Sequence, residues 1–389
     1  MVKPYPDILF LSRHQPRIIV LAVLSLFSAD IYVKQTHAHR THIQRRPIPI
    51  AAHFYYERIF MTILYRMKNQ FGKISLVLFF TVIIALKTAG AAPSEIQEDD
   101  KTSGMPFSHA VILGIVEGVT EYLPISSTGH LLLAGRILGI EKSSITSRED
   151  EKAKEAADAY TICIQIGAIL AIIGLYRRHI KQMILGLMGK DKQGLKLLIN
   201  IILGFMPAAV IGLLLNRSIK AYLFGIWPVI AAWFVGGVVI LIISSKNRKS
   251  GQTLTNSISL HDLSWKSALI IGTAQCIAMW PGISRSLTTI AGGLLTGLTM
   301  ASAVEFSFLL GVVTLSAATA FDILKHGQVM LQIFHPLPLA TGVGVAFVSA
   351  IISVKWMVTY LNKHGLEVFG YYRIAISILA GSLMMLNVL

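Results

Sequence analysis

Glu117 and Glu121 stand four residues apart inside an apolar stretch of the chain. On a helix that spacing puts both carboxyls on one face, about 6 Å apart. Like charges so placed need a cation between them, a shared proton or a basic side chain. Just beyond Pro124 follows Ser126-Ser127-Thr128-Gly129-His130. A serine after a proline stops one helix and starts another. The free N–H groups of the new helix, its dipole and the hydroxyls make an anion site, phosphate above all. A second turn of this kind, Pro281-Gly282-Ile283-Ser284-Arg285-Ser286, adds a guanidinium whose planar fork suits phosphate oxygens. Together these groups match the needs of phosphoanhydride cleavage. Glu117 and Glu121 are expected to hold a divalent cation, Mg2+ or Ca2+, and Arg285 with backbone amides to stabilise the transferred phosphoryl group. Ser127 serves as nucleophile or positions water, and His130 as general base or acid. Ser126, Thr128, Gly129, Gly282, Ser284 and Ser286 are expected to line the anion. For Ser126 simple capping is the plainer reading; for Ser127 capping and catalysis fit equally well.

The elements that must position these residues are membrane helices. The chain has 389 residues, 54% hydrophobic and 14% charged, with a mean hydropathy of +0.63. Soluble domains carry about 25% charge, so ordinary cytosolic enzymes, disordered tails, collagen and disulfide scaffolds are excluded. The two cysteines, Cys163 and Cys276, lie in apolar runs and offer neither a disulfide framework nor a zinc site. The net charge of +15 suggests no nucleic-acid partner, since residues 1–68 alone hold ten Lys/Arg against three Asp/Glu.

Six stretches are long enough to cross hydrocarbon: 156–175, 194–215, 226–245, 301–324, 334–357 and 368–389. Two more, 107–139 and 265–298, are interrupted at Leu123-Pro124-Ile125-Ser126 and Pro281-Gly282-Ile283-Ser284. Their halves are too short to span alone and read as re-entrant helix pairs. The 176–196 loop carries Arg177, Arg178, Lys181, Lys190, Lys192 and Lys196 against Asp191, which places it in the cytoplasm. Following the chain from there, the first broken pair enters and leaves from outside, the second from inside. The expected fold is all-α, six spans plus two re-entrant pairs in an inverted-topology repeat, a transporter-type architecture. Repeat one is 105–250 and repeat two 260–389, within a membrane domain of 105–389. Residues 1–66 read as a basic N-terminal extension that the mature protein need not contain. Residues 67–104 read as a signal-like or anchor segment and linker, with Ile74–Leu86 as its apolar core and Ala89-Gly90-Ala91-Ala92 as its small-residue end.

Thirteen carboxylates follow residue 106, and only Glu117, Glu121, Glu305 and Asp322 fall well inside apolar stretches. A charge there costs at least ~2.5–3.5 kcal/mol and marks function by default. Glu305 and Asp322 lack company of the right kind and are left outside the site.

At these residues the chain resembles the bacterial undecaprenyl-diphosphate phosphatase family, also called the bacitracin-resistance protein family. The resemblance covers roughly residues 105–389. Its carriers are the run from Glu117 through Glu121-Tyr-Leu-Pro-Ile-Ser-Ser-Thr-Gly to His130, and Pro281-Gly-Ile-Ser-Arg285-Ser286. Ile164-Gln165, Glu305-Phe306 and Tyr371-Tyr372-Arg373-Ile374 add support. It implies hydrolysis of a C55 isoprenyl diphosphate to the monophosphate on the outer side of the inner membrane, recycling the lipid carrier for cell-wall synthesis. It implies that Glu117, Glu121, Ser127, His130 and Arg285 serve the site with a divalent ion. The expected partners are the bilayer and the lipid substrate, and a homodimer stays open. The alternative activity is a transporter or flippase for a polyprenyl phosphate. Leu287 departs from the family's glycine after Arg-Ser and is expected to crowd that turn. Thr299-Met300 replaces a charged pair.

Overall fold

The computed structural model describes residues 106–140, 148–249, 258–333 and 336–386. The extension 1–66 and the signal-like segment 67–104 lie outside the described residues.

Among the described residues the architecture is helical throughout, apart from one isolated bridge between Ile258 and Leu298. Helix α1 (Phe107–Thr120) is followed by α2 (Ser127–Ile137), α3 (Arg148–Leu175), α4 (Arg177–Leu187), α5 (Lys192–Leu223) and α6 (Ile226–Lys249). The second half holds α7 (Trp265–Gln275), α8 (Arg285–Leu295), α9 (Met300–Ile333), α10 (Pro336–His364) and α11 (Glu367–Met385). Among the described residues five helices are long and apolar enough to cross a membrane. They contain the segments Lys192–Leu215, Ile226–Ser245, Met300–Lys325, Pro336–His364 and Glu367–Met385. A sixth span results if Ala159–Leu175 and Arg177–Leu187, bent by 79°, count as one. The all-α membrane fold therefore stands, with large side chains such as Leu213, Leu214, Ile352 and Ile378 facing outward as lipid contact requires.

The expected cytoplasmic loop 176–196 is not a loop. Residues Arg177–Leu187 form α4, which folds against α5 through Met183 and Gly186 while Arg177, Arg178 and Lys181 stay exposed. Basic residues in the turn of such a helix satisfy solvent and leave its apolar stripe free to pack.

Both interrupted stretches break where proline forbids helix. α1 ends before Leu123-Pro124, and α2 begins after Ser126. α7 tightens into a 3-10 turn over Cys276–Met279, and α8 begins after Ser284. In each case the two halves pack on one another. Leu113 and Val116 of α1 share a buried cluster with Leu131 of α2, and Gly292 of α8 lies against Ile271 and Ala274 of α7.

Packing between the halves is reciprocal. α1 lies against α10 and α7 against α5, while α3 meets α9 and α6 meets α11. At the first two contacts, helix backbones touch through glycine: Gly114 on Gly342 and Gly272 on Gly204, where a Cβ would strike the opposing carbonyl. These are the glycines of the matching Gly-x-x-Glu117 and Gly-x-x-Gln275 patterns. The predicted crowding at Leu287 does not arise: the side chain is buried in the main core, and its N–H donates to Ser284 Oγ at 3.3 Å. Thr299 caps α9, accepting from Ser302 N–H at 3.0 Å.

Candidate active site

The two breaks meet one another, Ser286 of the second reaching Leu123 of the first. Their serines adopt the same backbone conformation, Ser126 with φ 73° and ψ 102°, Ser284 with φ 81° and ψ 116°. These are the two non-glycine residues of positive φ among those described. Such strain persists only where the surroundings over-determine it, and it clusters at functional sites. At Ser126 the expected side-chain cap is not made. Ser284 keeps its cap. The tips are tied together by Ser286 Oγ, which donates to Leu123 O at 2.8 Å, with Ser284 Oγ 3.0 Å from Ser286 Oγ.

Helix α1 continues through its C-cap, where Glu121 N–H donates to Glu117 O at 2.9 Å, so the two carboxylates do share a face. Glu121 is the hub. Its Oε1 accepts from Arg285 Nη2 at 2.9 Å, across the two halves of the chain. Its Oε2 accepts from the Ser127 hydroxyl and from Gln165 Nε2, the latter at 3.5 Å. Arg285 also donates through Nη1 to Ser307 O at 3.1 Å, and its guanidinium lies 5.1 Å over the ring of Tyr122. Two nitrogens of the guanidinium fork held by two different acceptors fix its plane as well as its place.

Around this hub several buried groups lack partners. Both oxygens of Glu117 are unbonded although the residue is fully buried, and Tyr122 OH and Arg285 Nε are unbonded too. Buried polar groups in folded proteins are nearly always satisfied. A carboxylate, a hydroxyl and a guanidinium N–H without protein partners suit a polar, charged ligand. The orphaned Glu117 oxygens suit a hard divalent cation, which takes carboxylate oxygen and can complete its shell with phosphate oxygens and water. Among the described residues no group of three His, Cys, Asp or Glu side chains forms a metal cage. Such an ion would thus be shared with the ligand.

Not every residue expected at the site joins it. His130 Nδ1 is 2.7 Å from Ser126 O and Nε2 is 2.8 Å from Tyr372 OH. Its ring stacks on Tyr372 and meets Trp233 edge-on. Both ring nitrogens are thereby engaged away from Ser127 and the carboxylates. Thr128 is exposed, Gly129 packs under Trp233, and Gly282 gives its carbonyl to Arg373. Glu305 and Asp322 enter none of these contacts.

Sequence reasoning missed Gln165, Tyr372 and above all Arg373. Arg373 lies on α11, fully buried, with four bonds to main-chain carbonyls around both tips. The signal was present: a guanidinium inside an apolar span is as costly as a carboxylate.

The model of the family described as bacitracin resistance protein BacA matches residues 110–379. The chain belongs to that family. The matched stretch contains both tips, the Glu117–Glu121 pair and Arg373. Among its relatives is the undecaprenyl-diphosphatase of Sorangium cellulosum, 42% identical over 271 residues, which are 69% of this chain and 84% of the relative. That of Nitrosomonas europaea is 42% identical over 270 residues, 69% of this chain and 92% of the relative. Undecaprenyl-diphosphatase 2 of Rhodospirillum rubrum is 41% identical over 266 residues, 68% of this chain and 90% of the relative.

Proposed function

We propose that this chain hydrolyses undecaprenyl diphosphate to undecaprenyl phosphate and inorganic phosphate, at a site open to the outer side of the bacterial inner membrane. The observation that carries the reading is the contact of Arg285, from one half of the chain, with the Glu121–Ser127 pair of the other. Membership of the BacA family and the names of the relatives support the substrate. The basic residues on the 177–196 segment support the orientation.

In this reading the diphosphate sits between the two half-helix starts, whose N–H groups and dipoles favour phosphate. Arg285 Nε, which has no protein partner, donates to a phosphate oxygen and stabilises charge as it develops. Ser127 Oγ attacks the terminal phosphorus while Glu121, already its acceptor, takes the hydroxyl proton. The new bond is Oγ–P. The broken bond joins that phosphorus to the bridging oxygen, which leaves with its electron pair on undecaprenyl phosphate. Water then cleaves the phosphoserine and frees inorganic phosphate. Glu117 would hold a divalent cation, Mg2+ or Ca2+, which would supply positive charge to stabilise the transferring phosphoryl group. His130 acts by supporting the Ser126 backbone and the shape of the tip, since its ring nitrogens are committed there.

The test is phosphate release by purified protein in detergent, given undecaprenyl diphosphate and Mg2+. Wild type should release phosphate and chelator should stop it. Ser127→Ala should fall by about 10³-fold or more, as loss of a nucleophile does. Glu117→Gln should demand far more Mg2+ for the same rate. Equal, slow release by wild type and Arg285→Ala would remove the reading.

A further inference from the structure

Arg373 is a fully buried cation that makes no salt bridge to a carboxylate among the described residues. Its Nη1 donates to Pro124 O at 3.3 Å and its Nη2 to Gly282 O at 2.7 Å. Its remaining bonds run to α6, from Nη2 to Ala232 O at 2.9 Å and from Nε to Trp233 O at 3.3 Å. Pro124 and Gly282 occupy the same place in the two breaks, each two residues ahead of a serine held at positive φ. One side chain therefore grips the equivalent carbonyl of both tips. The next residue back along α11, Tyr372, reaches the first tip as well, through His130. Neutral carbonyls solvate a guanidinium but leave its charge uncancelled, and a buried charge calls for a counter-charge. Glu121 is engaged by Arg285. Glu117, the other buried carboxylate, makes no bond to Arg373, and the anion the tips are built to hold supplies the counter-charge.

We propose that Arg373 is a positioning residue for both tips, setting Ser127 and Arg285 where they grip the diphosphate, and that the bound diphosphate balances its charge. The proposal rests on the hydrolase reading for its substrate. It does not make Arg373 a group that touches the reacting atoms.

Two variants test it by different routes. Arg373→Lys keeps the charge but cannot span both tips. Gly236→Ala leaves Arg373 in place and pushes it, because a Cβ at 236 would strike Nη2; alanine also favours the helix there. Two measurements are made on purified full chain: phosphate release from undecaprenyl diphosphate, and equilibrium binding of a non-hydrolysable prenyl methylenediphosphonate. In Arg373→Lys, kcat should fall on the order of 10²-fold, the size of effect that an ångström of misplacement brings. Its KM and the Kd of the analogue should rise clearly, and Gly236→Ala should move all three the same way by less. A residue needed only for folding would reduce the amount of folded protein and leave KM and Kd of the survivors at wild-type values. That result, or wild-type kinetics in both variants, overturns the proposal. If Arg373→Lys yields no folded protein, Gly236→Ala decides alone. Should wild type bind the analogue yet release no phosphate, hydrolysis falls and the variants' Kd values still judge the positioning role. Should wild type bind no analogue, both fall.

Discussion

Glu121 collects hydrogen bonds from three elements, Ser127 of α2, Gln165 of α3 and Arg285 of α8, with its side chain 5% exposed and that of Arg285 11% exposed. A pair buried to this degree is costly to break from one side, because the survivor keeps an uncompensated charge, here with Glu117 nearby. Arg285→Met should destabilise the protein by about 3–5 kcal/mol. The double variant Glu121→Gln, Arg285→Met should recover a large part of that while remaining inactive, since the chemistry needs both groups. Thermal unfolding in detergent reads the stability and phosphate release reads the activity. A double variant no more stable than Arg285→Met would mean the pair is not the stabilising contact. What the sequence made legible at this scale were the groups whose cost inside a membrane is plain: Glu117, Glu121 and Arg285, beside a serine in the right turn. Arg373 was hidden because it lies within α11, away from the two turns that mark out Arg285. Gln165 and Tyr372 escaped because neither is charged and each meets its partner only across a long sequence separation. His130 sat in the right motif, but the motif could not say that a tyrosine from α11 would take its second nitrogen.

At the scale of elements, the two tips are the same device with one difference. Ser284 keeps its side-chain cap to Leu287 N–H and hydrogen-bonds Ser286, whereas the Ser126 side chain makes no cap. Replacing each by glycine relieves the positive-φ strain, of order 1–3 kcal/mol for a non-glycine residue. At position 284 the exchange also removes a side-chain cap, a loss of about a few tenths of a kcal/mol when glycine takes its place, and the hydrogen bond to Ser286. Ser126→Gly should therefore raise the unfolding temperature or leave it unchanged, and Ser284→Gly should fall below Ser126→Gly in the same thermal scan. Equal shifts would show that the caps differ only on paper. Proline made both breaks legible, and the echo of Ile-Ser around them pointed to their kinship. Helix α4 was hidden for the opposite reason: its basic residues dominated the reading of 176–196, and its buried stripe is only Met183 and Gly186 with partial help from Ile180 and Leu185. The spans themselves were read within a few residues, but α9 and α10 run past the apolar limits because a helix does not stop where lipid does.

At the scale of the whole molecule, reciprocal packing and charge bias make the same demand on orientation. Helix α5 has 32 residues, about 48 Å at 1.5 Å per residue, against a hydrocarbon core of about 30 Å. Its two ends must then emerge on opposite faces. Leu187, just before it, is 75% exposed and Tyr222, near its end, is 80% exposed. The basic residues of 177–196 predict the inside for that segment and hence the outside for position 222. With Cys163 and Cys276 replaced by serine, Tyr222→Cys should react with a membrane-impermeant maleimide in intact spheroplasts. Leu187→Cys should react only after the membrane is opened. Labelling in the reverse order would turn the protein over, so that the site proposed to face outward would draw on diphosphate in the inner leaflet. Labelling of both from one side would mean that α5 does not span, and the inverted pairing of α1 with α10 and α7 with α5 would lose its membrane meaning. The expected order instead puts the first broken pair on the outer side, where Ser127 and Glu121 meet an outward-facing headgroup, and brings Arg285 to it from the opposite leaflet.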